Sequence, residues 1–234
     1  MTAASIRLYR TAEHPCGYWH DRAARDLVLD PRDSHLPSLY PGAVAMGFRR
    51  SGAHVYRPYC AQCQACVSVR IPVADFVPDR AQRKCARRNA DLSVRMVEAD
   101  RRTEHFVLYQ RYLLSRHRNG GMDDARPADF DAFLKCAWSP TRFLEFRSDG
   151  RLVAVAVTDR LPEALSAVYT FFDPDLAARS LGTYAILAQL DFARRHGLEH
   201  LYLGYWIDGH PKMDYKRRFR PLEGLLAGRW TPIE

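Results

Sequence analysis

The chain has 234 residues, 47% hydrophobic and 26% charged, a composition that fits an ordinary globular protein and excludes a disordered or fibrous one. Its 35 Lys and Arg outnumber 27 Asp and Glu; the net charge of +8 indicates an anionic partner, nucleic acid before membrane. The alternative is a basic protein with no nucleic-acid role. No secretory signal or apolar run of the ~18 residues needed to span a bilayer is visible. We therefore expect a cytoplasmic protein, whose six cysteines are ligands, nucleophiles or core residues rather than disulfides.

The first part of the chain is predicted to contain extended segments and two short helices. Alternating apolar residues, turn residues and capping residues set these expectations. Asp79, for example, is a suitable N-cap for the second helix. In chain order the predicted elements are extended segments over 5–30, a helix over 36–46, a hairpin turning at Ser51-Gly52, a strand over 67–73 and a helix over 79–90.

The second part is predicted to form a sheet with helices. Asp149-Gly150 is a strong hairpin signal, and Gly120-Gly121 marks a mobile loop between two helices. In chain order the predicted elements are helices over 102–118 and 127–138, a hairpin over 141–161, a strand over 164–172, a helix over 178–196 and a strand over 200–207. Together they predict an α+β fold, with a domain boundary between residues 75 and 100.

Three cysteines, Cys60, Cys63 and Cys66, stand at three-residue intervals in one predicted loop. Thiolates at this spacing in a tight turn can all point at one metal ion, which needs a fourth ligand from elsewhere. Cys16, beside a turn glycine, is the natural fourth ligand. The histidines that could replace it are His14, His20 and His54. Four thiolates suit a structural zinc ion or an iron–sulfur cluster. The alternative is a set of reduced thiols that bind nothing.

Arg179 and Gly182 lie in YTFFDPDLAARSLGTYAIL, where a predicted strand gives way to a helix. Backbone N–H groups at a helix start bind anions, and Arg-x-x-Gly there is similar to part of the pyrophosphate loop of GNAT acyltransferases. Tyr184 stands where a further glycine is expected, so the match to a coenzyme A site is incomplete. The alternative is a purely structural turn.

Two groups of basic residues could contact phosphates. The first follows helical spacing and forms one stripe on the helix over 79–90; its members are Arg80, Arg83, Lys84 and Arg87. The second lies over 212–220, after a strand that carries Tyr202, Tyr205 and Trp206; its members are Lys212, Lys216, Arg217, Arg218 and Arg220. Aromatic rings can stack on bases while basic groups hold phosphates. The alternative is a pair of solvated surfaces.

Several segments together resemble the arginyl-tRNA–protein transferase family. They run in the same order from Cys16 to Trp230, nearly the whole chain: CGYWHDRAARDLVL, GFRRSGAHVYRPYCAQCQACVSVR, RRNADL, YTFFDPDLAARSLGTYAIL and YLGYWIDGHPKMDYKRRFRP. The compact length and the form of the cysteine loop are most similar to the bacterial branch, the aspartate/glutamate leucyltransferases of the N-degron pathway. The resemblance implies a cysteine-bearing N-terminal domain over 1–100 and a GNAT-like acyltransferase domain over 101–234.

The implied reaction transfers an amino acid, leucine in the bacterial branch, from its tRNA to the α-amine of a protein beginning with Asp or Glu. Because the acyl ester is already activated, the enzyme mainly aligns amine and carbonyl, stabilises an oxyanion and accepts a proton. The transfer itself is expected to require no cofactor. Asp173 is a candidate proton acceptor. The candidate oxyanion or ribose partners are Tyr169, Tyr184 and Tyr205.

The substrates of this reaction carry negative charges that need cations. The candidates for the acceptor's carboxylate are Lys212, Lys216, Arg49 and Arg50. The candidates for the tRNA and the acyl donor are Arg83, Arg87, Lys216, Arg179 and Gly182. Other readings stay open: arginine as the donated residue, a coenzyme A-dependent acetyltransferase, and a non-catalytic zinc-containing RNA-binding module.

Overall fold

The computed structural model describes residues 6–116 and 125–233, so the loop predicted at Gly120-Gly121 lies outside the described residues. Short strands precede the cysteine loop: β1 (Leu8–Arg10), β2 (His14–Pro15), β3 (Ala23–Ala24), β4 (Asp26–Leu29), β5 (Arg49–Ser51) and β6 (His54–Pro58). The main sheet is built from β7 (Val67–Pro72), β8 (Ser93–Glu98), β9 (Thr141–Ser148), β10 (Arg151–Arg160), β11 (Ala164–Phe172), β12 (His200–Trp206), β13 (Leu222–Leu226) and β14 (Arg229–Ile233).

The helices pack around these strands. The α-helices are α1 (Leu36–Ala45), α2 (Arg80–Arg88), α3 (Thr103–Arg116), α4 (Pro127–Leu134) and α5 (Leu181–Arg195). Two 3-10 helices span Pro174–Arg179 and Asp214–Arg218. Asp79 caps α2 as predicted: its carboxylate accepts from the backbone N–H of Gln82 at 2.7 Å, and the Gln82 side chain accepts from the Asp79 N–H at 2.9 Å.

The main sheet has the strand order β14-β13-β7-β12-β11-β10-β9-β8. Its neighbouring strands are antiparallel except β11 and β12, which run parallel and are connected through α5. Side chains alternate across the sheet: Ala154 and Ala156 of β10 pack in the cluster with α5, whereas Val155 and Val157 pack with α3 and α4. The sheet is therefore covered on both faces.

A buried ion pair joins the small sheet, of order β1-β4-β6-β5, to the main sheet. Arg50 of β5 donates from Nε and Nη2 to the two carboxylate oxygens of Asp159 on β10, each at 2.7 Å. Tyr40 of α1 and Thr141 of β9 donate to the same carboxylate at 2.6 and 2.7 Å. Burial would raise the pKa of Asp159, but these donors hold it below its ordinary value.

The predicted α+β fold is confirmed, with two shortened helices and three strands that were missed. α5 begins at Leu181 rather than residue 178, because Ser180 takes a left-handed conformation, φ +55°, and separates α5 from the preceding 3-10 helix. α4 ends at Leu134 because Lys135 is extended, with ψ 158°. The missed strands are β8, β13 and β14. The division into domains over 1–100 and 101–234 stays a prediction. Two strands that lie before residue 100, β7 and β8, are part of the main sheet.

The parallel strands β11 and β12 separate along their length. They pair from Ala164↔His200 to Ser166↔Tyr202, and within the described residues their pairing stops there. Beyond it, β11 continues to Phe172 and β12 to Trp206. β11 also carries an irregularity opposite Val157 and Thr158, which pair with Tyr169 and Ala167 and leave Val168 between them. The resulting gap exposes main-chain groups that a continuous sheet would have paired.

Candidate active site

Arg49 of β5 fills the gap where β11 and β12 separate. Its Nη1 donates to Ser166 Oγ at 3.0 Å, and its Nη2 donates to the carbonyl of Ala167. From the other side it lies against Gly204 of β12, where an added Cβ would lie 3.1 Å from Nε. Gly204 has φ +80°, so its conformation and the close approach both require glycine. The guanidinium is thus buried, 6% exposed, between the two strands.

Lys216 approaches the same gap from the 3-10 helix Asp214–Arg218. It is 5% exposed, and its ammonium donates to the main-chain carbonyl of Tyr205 on β12 and lies 3.9 Å from the sulfur of Met213. Burial, reinforced by the charge of Arg49, lowers the pKa of Lys216 to about 7, although Cys66 opposes the shift. Lys216 is thus buried, unlike the other cations of the 212–220 group, and its predicted contact with tRNA phosphates stays a prediction.

The two buried cations lack a carboxylate partner. Throughout residues 6–116 and 125–233, no carboxylate oxygen lies within 4.0 Å of Arg49 or Lys216. Burying a charge costs several kcal/mol unless an opposite charge or hydrogen bonds compensate it, and here only neutral oxygen acceptors do so. A bound anion would supply the missing charge. The gap is therefore suited to a carboxylate.

Tyr169 of β11 lies beyond the gap in an aromatic cluster. Its ring is 5.1 Å from that of Phe133, 6.2 Å from Tyr112 and 6.3 Å from Tyr109. Its hydroxyl is buried and has no hydrogen-bond partner among the residues described. Burial raises the pKa of Tyr169, so the hydroxyl stays protonated and can donate. An acceptor oxygen on a bound ligand would satisfy this buried donor.

Tyr205 of β12 has different neighbours from Tyr169. Its hydroxyl donates to the carbonyls of Gly47 and Tyr56, at 3.0 and 3.2 Å, and its side chain lines the cysteine cavity described below. Burial raises the pKa of Tyr205 well above the ordinary value. The structure therefore gives its hydroxyl structural partners, and only its main-chain carbonyl meets Lys216.

Other predicted substrate-binding residues are engaged elsewhere. Arg50 is held by Asp159, so its charge is already neutralised. Arg179 forms a two-point ion pair with Asp91, at 3.0 and 2.8 Å. Gly182 packs at the start of α5, where an added Cβ would lie 3.4 Å from Phe172. These contacts favour structural roles for Arg50 and for the Arg179-x-x-Gly182 segment.

Two predicted catalytic residues also have structural surroundings. Asp173 is fully buried; it accepts from Arg111 at 2.9 Å, from Arg151, and from the backbone N–H of Asp175 at 3.1 Å. Both guanidiniums thus hold this carboxylate inside the protein. Tyr184 of α5 stacks edge-on against Phe146, 5.6 Å away, within the cluster that packs with α5 rather than the one that holds Tyr169.

The predicted cationic surfaces are exposed, apart from Lys216. Arg83, Arg87 and Lys212 are all exposed, and α2 turns Gln82 and Cys85 inward. The stripe on α2 therefore has the solvent-facing placement that phosphate contacts need.

The four cysteines line one cavity of about 390 Å³ between the small sheet and β12. Burial, with the negative charge of the three other thiols when ionised, raises the pKa of the Cys66 thiol to about 12. A backbone hydrogen bond from Ala65 and the neighbouring Arg22, 3.5 Å from its sulfur, lower the pKa of Cys63. The structure thus brings together Cys16 and the three-cysteine loop, as the predicted ligand set requires.

The cysteine sulfurs are not drawn as tightly together as a bound ion would hold them. Zn–S bonds of ~2.3 Å put sulfurs about 3.8 Å apart in a tetrahedron. In the described part of the chain, the one group of three potential ligands with all ligand atoms within 4.8 Å of one another is Glu104, His105 and Glu145. Arg147 pairs with both glutamates there, so that group is already charge-compensated.

Two regions of the chain match a known protein family. Residues 14–84 match the N-terminal region, and residues 104–226 the C-terminal region, of the family described as arginine-tRNA-protein transferase. The chain belongs to this family. It is an aminoacyltransferase. The predicted resemblance is confirmed, and the two matched regions carry the cysteine loop and the β11–β12 gap respectively.

Relatives and solved structures extend the comparison. The chain is 63% identical to an aspartate/glutamate leucyltransferase of Stenotrophomonas maltophilia (strain K279a), over 98% of this chain and 94% of that protein. It is 59% identical to the aspartate/glutamate leucyltransferase of Xanthomonas campestris pv. campestris (strain B100), over 99% of this chain and 94% of that protein. The crystal structure of FemX is similar over 87% of this chain and 80% of the FemX chain. The sequence identity is 9% and the TM-score is 0.44.

Sequence reasoning missed the residues that hold Arg49 in this transferase. Ser166 and Ala167 accept hydrogen bonds from the Arg49 guanidinium, and Gly204 has no side chain that would collide with it. One signal was present: a glycine inside an otherwise apolar, aromatic strand, HLYLGYW, indicates a close approach by another group. Among the described residues, every helix is too short or too polar to cross a membrane.

Proposed function

We propose that this transferase moves leucine from leucyl-tRNA to the α-amine of proteins that begin with Asp or Glu. The names of its relatives, aspartate/glutamate leucyltransferases, support this choice of donor and acceptors. One observation supports an acidic acceptor residue: among the described residues, the buried cations Arg49 and Lys216 have no carboxylate partner. The carboxylate of an acidic first side chain would supply the missing charge. We place the reaction in the cytoplasm, where charged tRNA is found.

The proposed chemistry needs little beyond alignment. The neutral α-amine attacks the ester carbonyl, an amide C–N bond forms, and the ester C–O bond breaks. The leaving ribose oxygen takes up the proton that the amine loses. With the acceptor's carboxylate on Arg49 and Lys216, two carbons (Asp) or three carbons (Glu) separate the carboxyl carbon from the α-amine, which would then lie at the mouth of the gap. Tyr169, which has an unpaired hydroxyl, is our candidate donor to the oxyanion.

A transfer assay tests the donor and the acceptor together. Purified protein is given tRNA charged with radiolabelled leucine or arginine in separate reactions, and a peptide that begins with Asp. We expect a higher kcat/KM with leucine, and no transfer to the same peptide with an acetylated N terminus. A higher value with arginine would change the donor. Acetylation of the peptide by acetyl-CoA, without transfer from either tRNA, would contradict the whole proposal.

We further propose that Cys16, Cys60, Cys63 and Cys66 bind a structural metal, zinc or an iron–sulfur cluster. Their four thiols line one cavity, and a shared metal would cross-link the N-terminal segment to the cysteine loop without a disulfide. The metal would stabilise the fold and take no part in the transfer.

Elemental analysis tests the metal proposal. Protein purified without chelator should contain zinc, or iron with sulfide, and Cys63→Ser should lose it together with thermal stability. Cys136→Ser, which changes a cysteine outside the cavity, is the matched control and should keep the metal. Wild-type protein that is folded and active with neither metal would refute the proposal.

A further inference from the structure

His210 lies in the turn 207–213 and joins it to the N-terminal part of the chain. Its ring, 5% exposed, stands edge-on to the rings of Tyr18 and Trp19, with centres 5.7 and 4.9 Å away. Aromatic rings in this geometry attract one another beyond the apolar area that they bury. The ring of His210 therefore docks the turn between β12 and the following 3-10 helix on Tyr18, 192 residues earlier in the chain.

Both ring nitrogens of His210 make hydrogen bonds, and their partners fix which nitrogen carries the proton. The backbone N–H of Lys212 can only donate, so Nδ1, 3.2 Å away, accepts from it. Nε2 then carries the proton and donates to the main-chain carbonyl of Tyr18 at 3.2 Å. One neutral imidazole thus holds the turn with one nitrogen and the N-terminal part of the chain with the other.

The main chain of His210 begins the turn that leads to Lys216. Its N–H donates to the carbonyl of Ile207 at 3.2 Å, and its carbonyl accepts from the N–H groups of Met213 and Asp214, each at 2.9 Å. The sulfur of Met213 lies 3.9 Å from the Lys216 ammonium. A displacement of His210 would therefore move the residues that place Lys216.

Lys216 depends on this backbone because the groups that hold its ammonium are neutral. They are the main-chain carbonyl of Tyr205 and the sulfur of Met213. The 3-10 helix Asp214–Arg218 therefore sets where the charge lies in the gap between β11 and β12. A misplacement of about 1 Å in a positioned group can cost about 100-fold in rate. The support of this helix thus bears directly on how well Lys216 can meet a carboxylate.

We propose that His210 is a positioning residue for the transfer: by docking the turn 207–213 on Tyr18, it holds Lys216 where the acceptor's carboxylate binds. The identity of that carboxylate rests on the proposed function. The role of His210 is indirect, because the protein itself engages both of its ring nitrogens. Its removal should therefore change how strongly the enzyme prefers an acidic acceptor.

The preference for an acidic acceptor tests this role. In His210→Ala, the ratio of kcat/KM for a peptide beginning with Asp to that for one beginning with Asn should fall about tenfold. The loss should appear mainly in KM for the Asp peptide, because a binding contact is weakened. His210→Gln should keep most of the preference, because its amide nitrogen can donate to the Tyr18 carbonyl as Nε2 does.

A double variant and a matched control separate positioning from a general structural role. In the Lys216→Met background, His210→Ala should change the preference no further, because both residues act through one contact. His105→Ala removes another buried histidine, so it should lower Tm and leave the preference unchanged. Equal losses with the Asp and Asn peptides in His210→Ala would contradict the proposal, as would a His210→Gln variant as impaired as His210→Ala.

Chemical labelling of lysines tests the positioning without relying on transfer. The folded protein is acylated briefly with acetic anhydride, and mass spectrometry of its peptides compares the buried Lys216 with the exposed Lys84. The rate at Lys216 relative to Lys84 should rise severalfold in His210→Ala and return to the wild-type value in His210→Gln. If the wild type transfers no leucine, the proposed function fails while this ratio still reports the position of Lys216. An unchanged ratio in His210→Ala would overturn the proposal.

Discussion

Replacing Lys216 by methionine is expected to lower kcat/KM for a peptide beginning with Asp about 150-fold. This factor corresponds to a loss of about 3 kcal/mol of transition-state stabilisation. Methionine keeps the length of the side chain and removes the charge that would meet the acceptor's carboxylate. The same variant should lose little activity on a peptide beginning with Asn, so the preference for Asp over Asn should nearly disappear. Steady-state kinetics with the two peptides and leucyl-tRNA measure this preference.

Lys212→Met is the matched control, because Lys212 is an exposed lysine in the same segment. The Lys212→Met variant should prefer the Asp peptide over the Asn peptide as strongly as the wild type does. The assignment of Lys216 to the acceptor's carboxylate would be wrong if Lys216→Met kept the wild-type preference.

The pH dependence of the same preference follows from the pKa of Lys216. Burial and Arg49 lower that pKa to about 7, so the ammonium loses its proton as the pH rises through about 7. The ratio of kcat/KM for the Asp peptide to that for the Asn peptide should fall above this pH. Titration of the α-amine largely cancels in the ratio, because both peptides carry one.

Thermal stability shows whether Lys216→Met acts through unfolding. The pKa of Lys216 is lower in the folded protein than in the unfolded chain, so folding the charged form costs free energy below pH 7. That cost disappears as the pH rises from about 7 toward the ordinary lysine value. Lys216→Met should therefore raise Tm at pH 6, and by less at pH 9. A large loss of Tm would assign the lost activity to misfolding instead.

Replacing Arg50 by methionine is expected to lower the free energy of unfolding by about 3 to 5 kcal/mol. Both side chains of the Arg50–Asp159 pair are 0% exposed, so the variant leaves a carboxylate buried with Tyr40 and Thr141 as its donors. The pair also joins the small sheet to the main sheet, so the loss weakens the support of Arg49, the next residue along β5. Urea denaturation followed by circular dichroism measures the change.

Two variants define what the Arg50 result means. Arg179→Met breaks the more exposed pair with Asp91 and should cost less than about 1 kcal/mol. The double variant Arg50→Met with Asp159→Leu removes both charges and should recover much of the lost stability, because no uncompensated charge remains. A similar cost for Arg50→Met and Arg179→Met would refute the structural importance of the buried pair.

Local patterns in the sequence were enough to predict much of the fold. The capping pair around Asp79, the Asp149-Gly150 turn and the alternation over 67–73 each depend on residues within one element. Strands such as β13 and β14 were missed because their hairpin turns at Ala227-Gly228, with φ +48° and +77°, where alanine gives no signal for a left-handed conformation. The sequence likewise identified the four cysteines that line one cavity, since three of them share a loop.

The roles of charged residues depended on the tertiary structure. Arg49 and Arg50 are adjacent and of the same type, yet alternation in β5 sends them to different surroundings: Arg50 meets Asp159, 109 residues away, while Arg49 enters the gap between β11 and β12. Lys212 and Lys216 are likewise lysines of the same segment, but only Lys216 is turned inward by the 3-10 helix that contains it. The sequence by itself determined the family, most of the elements and the excess of cations. Which cations are neutralised, and which remain for a substrate, was decided by long-range packing, because a charge is compensated by whatever lies beside it in space.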